Sequence, residues 1–359
     1  MNKRTVDEGI SIWYWDTEDN GIGKLGSINY QPLKAPFIGF DEAFTYDEDG
    51  LILTHTVCVD GQPKMFDYTY DELNRLKTKT WPTGFKTINY YDEFSFLRYI
   101  TDDNGTKLWE VGTYNQWQNI SQFKTGNQVQ HNYTYSDING RLESIKAAHQ
   151  QHETLQEFAY NWNPLTANLD ERTDVLRNIT ETFGYDSFNR LTDITQSNNT
   201  TGWATYNHLG RIESKHDAGT YQYLPNRPYA VDNINDLHGD FPEDIQDIEY
   251  TSFNKVKYIA EADNELNMAY GPYSQRIWQQ NTNAHNNSRR QKYYYTAEYE
   301  IETNAENQEI HRHYLLRVCS QITCLIYRQL FCSPTRQKTQ ASCLWTASIF
   351  NAVGGQKNK

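Results

Sequence analysis

Long apolar runs are missing from this chain. No stretch reaches the roughly 18 residues that a membrane-crossing helix needs, which excludes a helical span. The basic N-terminus Met1-Asn2-Lys3-Arg4 is not followed by an apolar segment, so it does not read as a signal peptide. Apolar spacing at i, i+3, i+4 and i+7 with caps is sustained nowhere, and helix is expected to be scarce. Basic charge is short as well. Lys and Arg number 33 against 46 acids, a net charge of -13 that argues against nucleic acid as a partner. Cysteine is nearly absent before residue 315, where Cys58 stands alone. The other four, Cys319, Cys324, Cys332 and Cys343, lack the paired C-x-x-C spacing of a zinc site, and nothing around them reads as a disulfide-stapled scaffold.

What the chain has is a tyrosine-acid turn signature at a near-constant interval. It reads Tyr70-Asp71-Glu72-Leu73-Asn74-Arg75-Leu76 and returns as Tyr185-Asp186-Ser187-Phe188-Asn189-Arg190-Leu191. Weaker copies start at Tyr46, Tyr91, Tyr135, Tyr160, Tyr206, Tyr250 and Tyr270, and an earlier one at Trp15-Asp16. Successive intervals from Tyr46 are 24, 21, 44, 25, 25, 21, 44 and 20 residues, so each interval of 44 is expected to hide one degenerate copy. Such a period marks a repeat architecture.

Within a repeat the aromatics alternate, as in Phe66-x-Tyr68-x-Tyr70 and Tyr293-x-Tyr295, which is a strand pattern. Asp71 and Asp186 suit a turn, and Asn74, Asn189, Gly140 and Gly210 suit a left-handed backbone within it. Asp103-Asn104-Gly105 gives a further hairpin signal. Each repeat therefore supplies about two short strands. Roughly eleven repeats, at ~4.8 Å per strand, predict a sheet on the order of 100 Å wide, which must curl. The chain is 14% aromatic, with 27 Tyr, but only 37% hydrophobic. Its mean hydropathy of -0.84 points to a sheet wetted on both faces, with tyrosine hydroxyls at water and no thick core.

These motifs resemble the RHS or YD repeat family, whose copies read approximately Tyr-Asp-x-x-Gly-Arg-Leu. The match covers residues from about 13 to 314 and includes Trp81-Pro82-Thr83-Gly84-Phe85, Leu108-Trp109-Glu110 and Tyr270-Gly271-Pro272-Tyr273-Ser274-Gln275-Arg276. The resemblance implies an all-β spiral of antiparallel hairpins, part of a hollow shell closing around an unfolded or toxic C-terminal polypeptide. Relatives include polymorphic bacterial toxins, the C component of insecticidal toxin complexes and the teneurins, which are usually far longer. In the toxin branch a core region follows the repeats and supplies acids that cleave off the cargo. Here Lys292 to Tyr314 looks like the entry to that region, and then the pattern stops.

The chain divides into a repeat array, 1–314, and a tail, 315–359. The tail holds six Lys or Arg and no acid, so the array carries 27 basic residues against 46 acids, a net of -19. Acids vanish, cysteines appear and tyrosine falls to Tyr327 alone, which is expected of a shifted reading frame or a degraded gene.

No catalytic, cofactor or metal residues are assigned. His149 and His152, or His311 and His313, supply only two ligands each, where a site needs three or four. The acidic stretch Asp232, Asp236, Asp240, Glu243, Asp244 and Asp247 has Ile234 where a calcium loop needs an oxygen ligand. The Asp and Arg that recur in every repeat read as turn chemistry, since catalysis needs one concentrated cluster. The expected function is structural and not enzymatic: a fragment of an exported shell that encapsulates and delivers a C-terminal toxin or effector, acting outside the cell or at its surface. The alternative is a cell-surface adhesion or carbohydrate-binding module using the tyrosine rows Tyr133/Tyr135 and Tyr293/Tyr295.

Overall fold

The structure is a computed structural model and describes residues 1–36, 38–151, 153–197, 199–237, 246–285, 288–315, 317–320 and 323–326. No helix occurs among them. Twenty-one strands, from Asn2–Val6 to Arg227–Asn235, form one sheet. Each strand pairs antiparallel with the next in sequence, as in Gln62–Tyr70 with Leu76–Thr80. This strict meander places successive turns on alternate rims of the sheet. Seven further strands, from Gln246–Tyr250 to Glu309–His313, form a second sheet of the same kind.

The expectation of one continuous sheet from residue 13 is corrected in two ways. Strands begin at Asn2, and the array is divided between Asn235 and Gln246. Residues 238–245 of the acidic stretch lie outside the described residues. The division has a packing reason: a repeat sheet can cover itself only if its last part leaves the ladder and turns back.

The repeats are read off the register. At most signatures the tyrosine opposes the residue six positions on, next to a β-bulge: Tyr70 opposite Leu76, Tyr91 opposite Leu97, Tyr185 opposite Leu191 and Tyr206 opposite Ile212, while Tyr135 opposes Leu142, seven on. Trp15 opposite Leu25 is the early copy. Tyr114, opposite Ile120, is the copy hidden in the first interval of 44. One assignment was misplaced. Trp162, opposite Leu169, occupies the signature position that the sequence suggested for Tyr160. The indole replaces the phenol, so an aromatic-by-tyrosine search lands two residues early, on the same face of the strand.

A thick core exists where none was expected. The second sheet lies against the first, burying Phe40, Val57, Val59, Phe66 and Trp81 of one against Ile277, Trp278, Tyr299 and Ile301 of the other. Phe66 meets Tyr299 edge to face at 5.6 Å between ring centroids, a favoured aromatic geometry. A second buried cluster, Ile100, Leu108, Trp109, Val111 and Phe123, lies further along the first sheet, and the wet-sheet expectation holds only beyond it. The strands from Thr154–Trp162 to Arg227–Asn235 bury no large hydrophobic side chain among the described residues. Strands Arg317–Ser320 and Thr323–Ile326 form a separate pair with Cys319 opposite Cys324, Leu315 packs half-buried against the core, and the rest of the tail lies outside the described residues.

Candidate functional site

The chemistry the sequence repeats is concentrated in the signature turn. The Asp71 carboxylate accepts from the backbone N–H groups of Leu73 and Arg75 through Oδ1, and from the Arg75 guanidinium through Oδ2 at 2.7–2.8 Å. Asp186 repeats these contacts with Phe188 and Arg190. The Arg75 contacts hold the Asp71 carboxyl below its ordinary range. At Asp186, burial pushes upward and is outweighed by hydrogen bonds from Arg190. The fourth residues, Asn74 and Asn189, sit at φ 59, and Gly140 and Gly210 at φ 68 and 79, as their shared turn role requires. A β-branched residue is strained there. Replacing Asn189 with Val is expected to cost about 1–2 kcal/mol, and unchanged denaturant melts would refute this turn role.

The captured arginine does not point to solvent. Arg75 lies over the ring of Tyr91, and Arg190 over that of Tyr206, each at 4.5 Å, and Arg211 lies over Tyr223 at 4.7 Å. Each arginine thus caps the tyrosine of the following repeat, a contact worth about 0.5–1 kcal/mol at exposed sites. The tyrosine completes the link. Its hydroxyl donates to the carbonyl of the residue that opens the second strand of the preceding repeat: Tyr46 to Leu25 (2.7 Å), Tyr70 to Ile52 (2.9 Å), Tyr185 to Leu169 (3.0 Å) and Tyr206 to Leu191 (2.8 Å). Trp162 Nε1 does the same to Leu142 at 2.6 Å.

The hydroxyls are therefore not at water as the composition suggested. They are the rungs joining one repeat to the next, and burial raises the pKa of Tyr70 and Tyr185. The acceptor is a backbone carbonyl, which leaves no trace in residue type. The aliphatic residue at that position, Leu or Ile in most repeats and Val256 beneath Tyr270, was the only signal. Tyr185→Phe keeps the ring and removes one rung, so a loss of about 1 kcal/mol is expected, read as a lower melting midpoint with unchanged circular dichroism.

A second constellation lies at the seam between the sheets. Lys79 is almost wholly buried, its ammonium 4.0 Å from the Trp81 ring centroid, 5.2 Å from Phe66 and 5.6 Å from Tyr68. It pairs with Glu298 of the second sheet. Burial lowers the Lys79 pKa, and the charge of Glu298 opposes that shift. His313 accompanies the pair, its Nε2 at 3.0 Å from Thr83 Oγ1, and burial with the nearby positive charge lowers it to about 4. Trp81 packs edge-on against His313 at 5.1 Å. Each of these polar groups is held across the seam by a partner in the other sheet, which suits a clasp.

The two histidine pairs do not converge on a site. His311 Nδ1 meets the Tyr299 hydroxyl at 2.7 Å, while His313 faces Thr83. His149 accepts from the Gln151 backbone N–H, and His152 lies outside the described residues. No group of three metal-ligating side chains occurs among the described residues. An open groove of about 460 Å³ lies along the wall, lined by Asp186, Arg190, Asp193, Trp203 and Tyr206. Its charged pair is the Asp186–Arg190 turn itself. The tyrosine row at Tyr133 and Tyr135 is stacked, with centroids 6.4 Å apart, and the Tyr135 hydroxyl donates to the Ile120 carbonyl. No helix of the described residues is long and apolar enough to cross a membrane.

No family model and no curated protein sequence matches the chain. Solved structures do. The chain is similar to the crystal structure of TcdB2-TccC3-Cdc42, with TM-score 0.63 and 13% identity. It is equally similar to TcdB2-TccC3 without its hypervariable C-terminal region (TM-score 0.63, 13% identity), and to TcdB2-TccC3 (TM-score 0.60, 12% identity). Each match covers 86% of this chain but only 20–21% of the other, so the chain spans about a fifth of those proteins.

Proposed function

We propose that this chain, which has the RHS/YD-repeat fold of those toxin-complex chains, is a wall segment of an exported shell that encloses a C-terminal toxin or effector polypeptide and delivers it. The observation that carries the reading is a single-layer sheet whose repeats are joined by tyrosine rungs and whose end folds back over its beginning. A wall of this kind is stable without filling its concave side, which leaves room for another chain. It acts by shape and electrostatics, with no catalytic step of its own. The tyrosine rings are engaged in packing between repeats, so a carbohydrate-binding role draws no support from them.

The test is to compare the C-terminal polypeptide alone with the same polypeptide attached behind the array. Silence when attached and activity when alone support containment, whereas equal activity in both would overturn it. The purified chain is expected to stay intact on incubation, and a spontaneous site-specific break would contradict the non-enzymatic reading. We read 315–359 as the product of a shifted frame or of a degraded gene because 46 acids precede it and none lies within it. Sequencing the DNA around codon 315 tests this, and the absence of repeat or core pattern in every other frame would refute it.

A further inference from the structure

Five repeats place a pair of hydroxyls at the residue before the signature tyrosine and across from it on the next strand. Thr45 bonds Thr54 at 2.7 Å, Thr69 bonds Thr78 at 2.7 Å and Thr113 bonds Ser121 at 2.8 Å. Thr134 opposes Ser144, and Thr205 opposes Ser214. Other repeats fill the position with larger groups, such as Tyr90 stacked on Tyr99. The Tyr185 repeat empties it. Gly184 stands there, opposite Asp193. A Cβ on Gly184 would lie 3.0 Å from Asp193 Oδ2 and 3.2 Å from its Cβ, so the glycine makes the room in which the carboxylate lies.

On its other side Asp193 is directly opposite Trp203 of the next strand, near enough for the two side chains to share a ligand. Both line the groove of about 460 Å³, together with Arg190, Thr192, Thr205 and Tyr206. Trp203 is half-buried, with the His216 ring steeply inclined to it at 6.2 Å. Among the described residues no ion pair or hydrogen bond reaches the Asp193 carboxylate. Arg190, the cation lining the groove, is already committed to Asp186 and Tyr206. The groove therefore carries an uncompensated negative charge beside an indole ring.

The neighbouring turn shows what such a combination holds. There the Arg190 guanidinium bonds the Asp186 carboxylate at 2.6 Å and lies 4.5 Å over the Tyr206 ring. A planar guanidinium suits both partners at once, since it donates two parallel bonds to a carboxylate and stacks on an aromatic face. Asp193 and Trp203 offer the same two groups with no arginine of the chain between them. We infer that the groove is a binding site for a guanidinium group, carried by a small guanidino compound or by an arginine of a peptide. Asp193 accepts the paired N–H bonds and Trp203 supplies the ring. A sugar is served less well, because Asp186 and Arg190 are spent on each other and the Thr182 and Thr195 hydroxyls bond one another. The net charge of -13 favours the approach of a cation. The site does not depend on what the wall encloses, and it stands or falls apart from containment.

Saturation-transfer difference NMR on the full chain tests it, with methylguanidinium and an end-capped pentapeptide of four glycines around one arginine as ligands. Binding is expected with a Kd of about 1–10 mM. Asp193→Asn keeps the size and removes the charge, and should weaken binding about tenfold at an unchanged melting temperature. Gly184→Thr restores the residue common in the other repeats, displaces the carboxylate and should weaken it as much. Tighter binding of the peptide identifies a peptide arginine as the ligand, and equal binding identifies a free guanidino compound; either result upholds the site. No binding of either ligand, unchanged binding by Asp193→Asn, or equal binding of the neutral sugar methyl glucoside would overturn it.

Discussion

Phe66→Ala is expected to lower the stability of the chain by about 3–5 kcal/mol, the usual cost of truncating a fully buried phenylalanine. Phe66 has no exposed surface and touches Trp81 and Tyr299 at once, with ring centroids 5.9 and 5.6 Å away. It also forms part of the aromatic wall around the Lys79 ammonium, 5.2 Å distant. Its loss leaves a cavity between the two sheets and loosens the packing that holds a buried charge in place. Denaturant melts of parent and variant measure the effect. A loss below about 1 kcal/mol would mean that the sheets do not pack as described.

Acid should open the same seam before it reaches the turns. His313 at the seam, and His131, stacked on Phe123 within the first sheet, are both lowered to about 4 by burial, against an ordinary value of about 6.5 in the unfolded chain. The unfolded chain therefore takes up these protons first, and stability falls as pH drops from about 6.5 to about 4. Each histidine contributes no more than about 2 kcal/mol once solvent screening is allowed for. The carboxylates of Glu8 and Glu302 are also held low, each against the upward push of burial. Glu8 is held by hydrogen bonds from Ser252, and Glu302 by Arg312 and Lys292. Their contribution is lost only below about pH 4.5, which separates the two windows. The measurement is a series of denaturant melts between pH 7 and pH 4. His313→Gln should flatten part of the slope above pH 4.5, and a flat profile in the parent would contradict the burial of both rings.

The repeat, the strands and the turns were legible because each depends on residue type at fixed spacing. Tyr70, Asp71, Asn74 and Arg75 announce a capped turn with a left-handed fourth residue, and the structure supplies that turn. The rungs were not legible, since the tyrosine hydroxyl reaches a main-chain carbonyl and any residue can offer one. Nor was the seam. Lys79 and Glu298 are 219 residues apart in sequence, and nothing in either neighbourhood marks them as partners. The composition argument for a thin, wet sheet describes the middle of the array correctly. It fails where the second sheet turns back, because average hydropathy does not show that Phe40, Val57, Phe66, Trp81 and Tyr299 are gathered in one place.

Containment by a folded-back repeat wall is measured most directly by protease protection of the C-terminal polypeptide attached to the array, with and without Phe66→Ala. The account predicts that the intact array shields the polypeptide and that the weakened seam exposes it, so cleavage is slow in the parent and fast in the variant. Rapid cleavage at the same rate in both would contradict it.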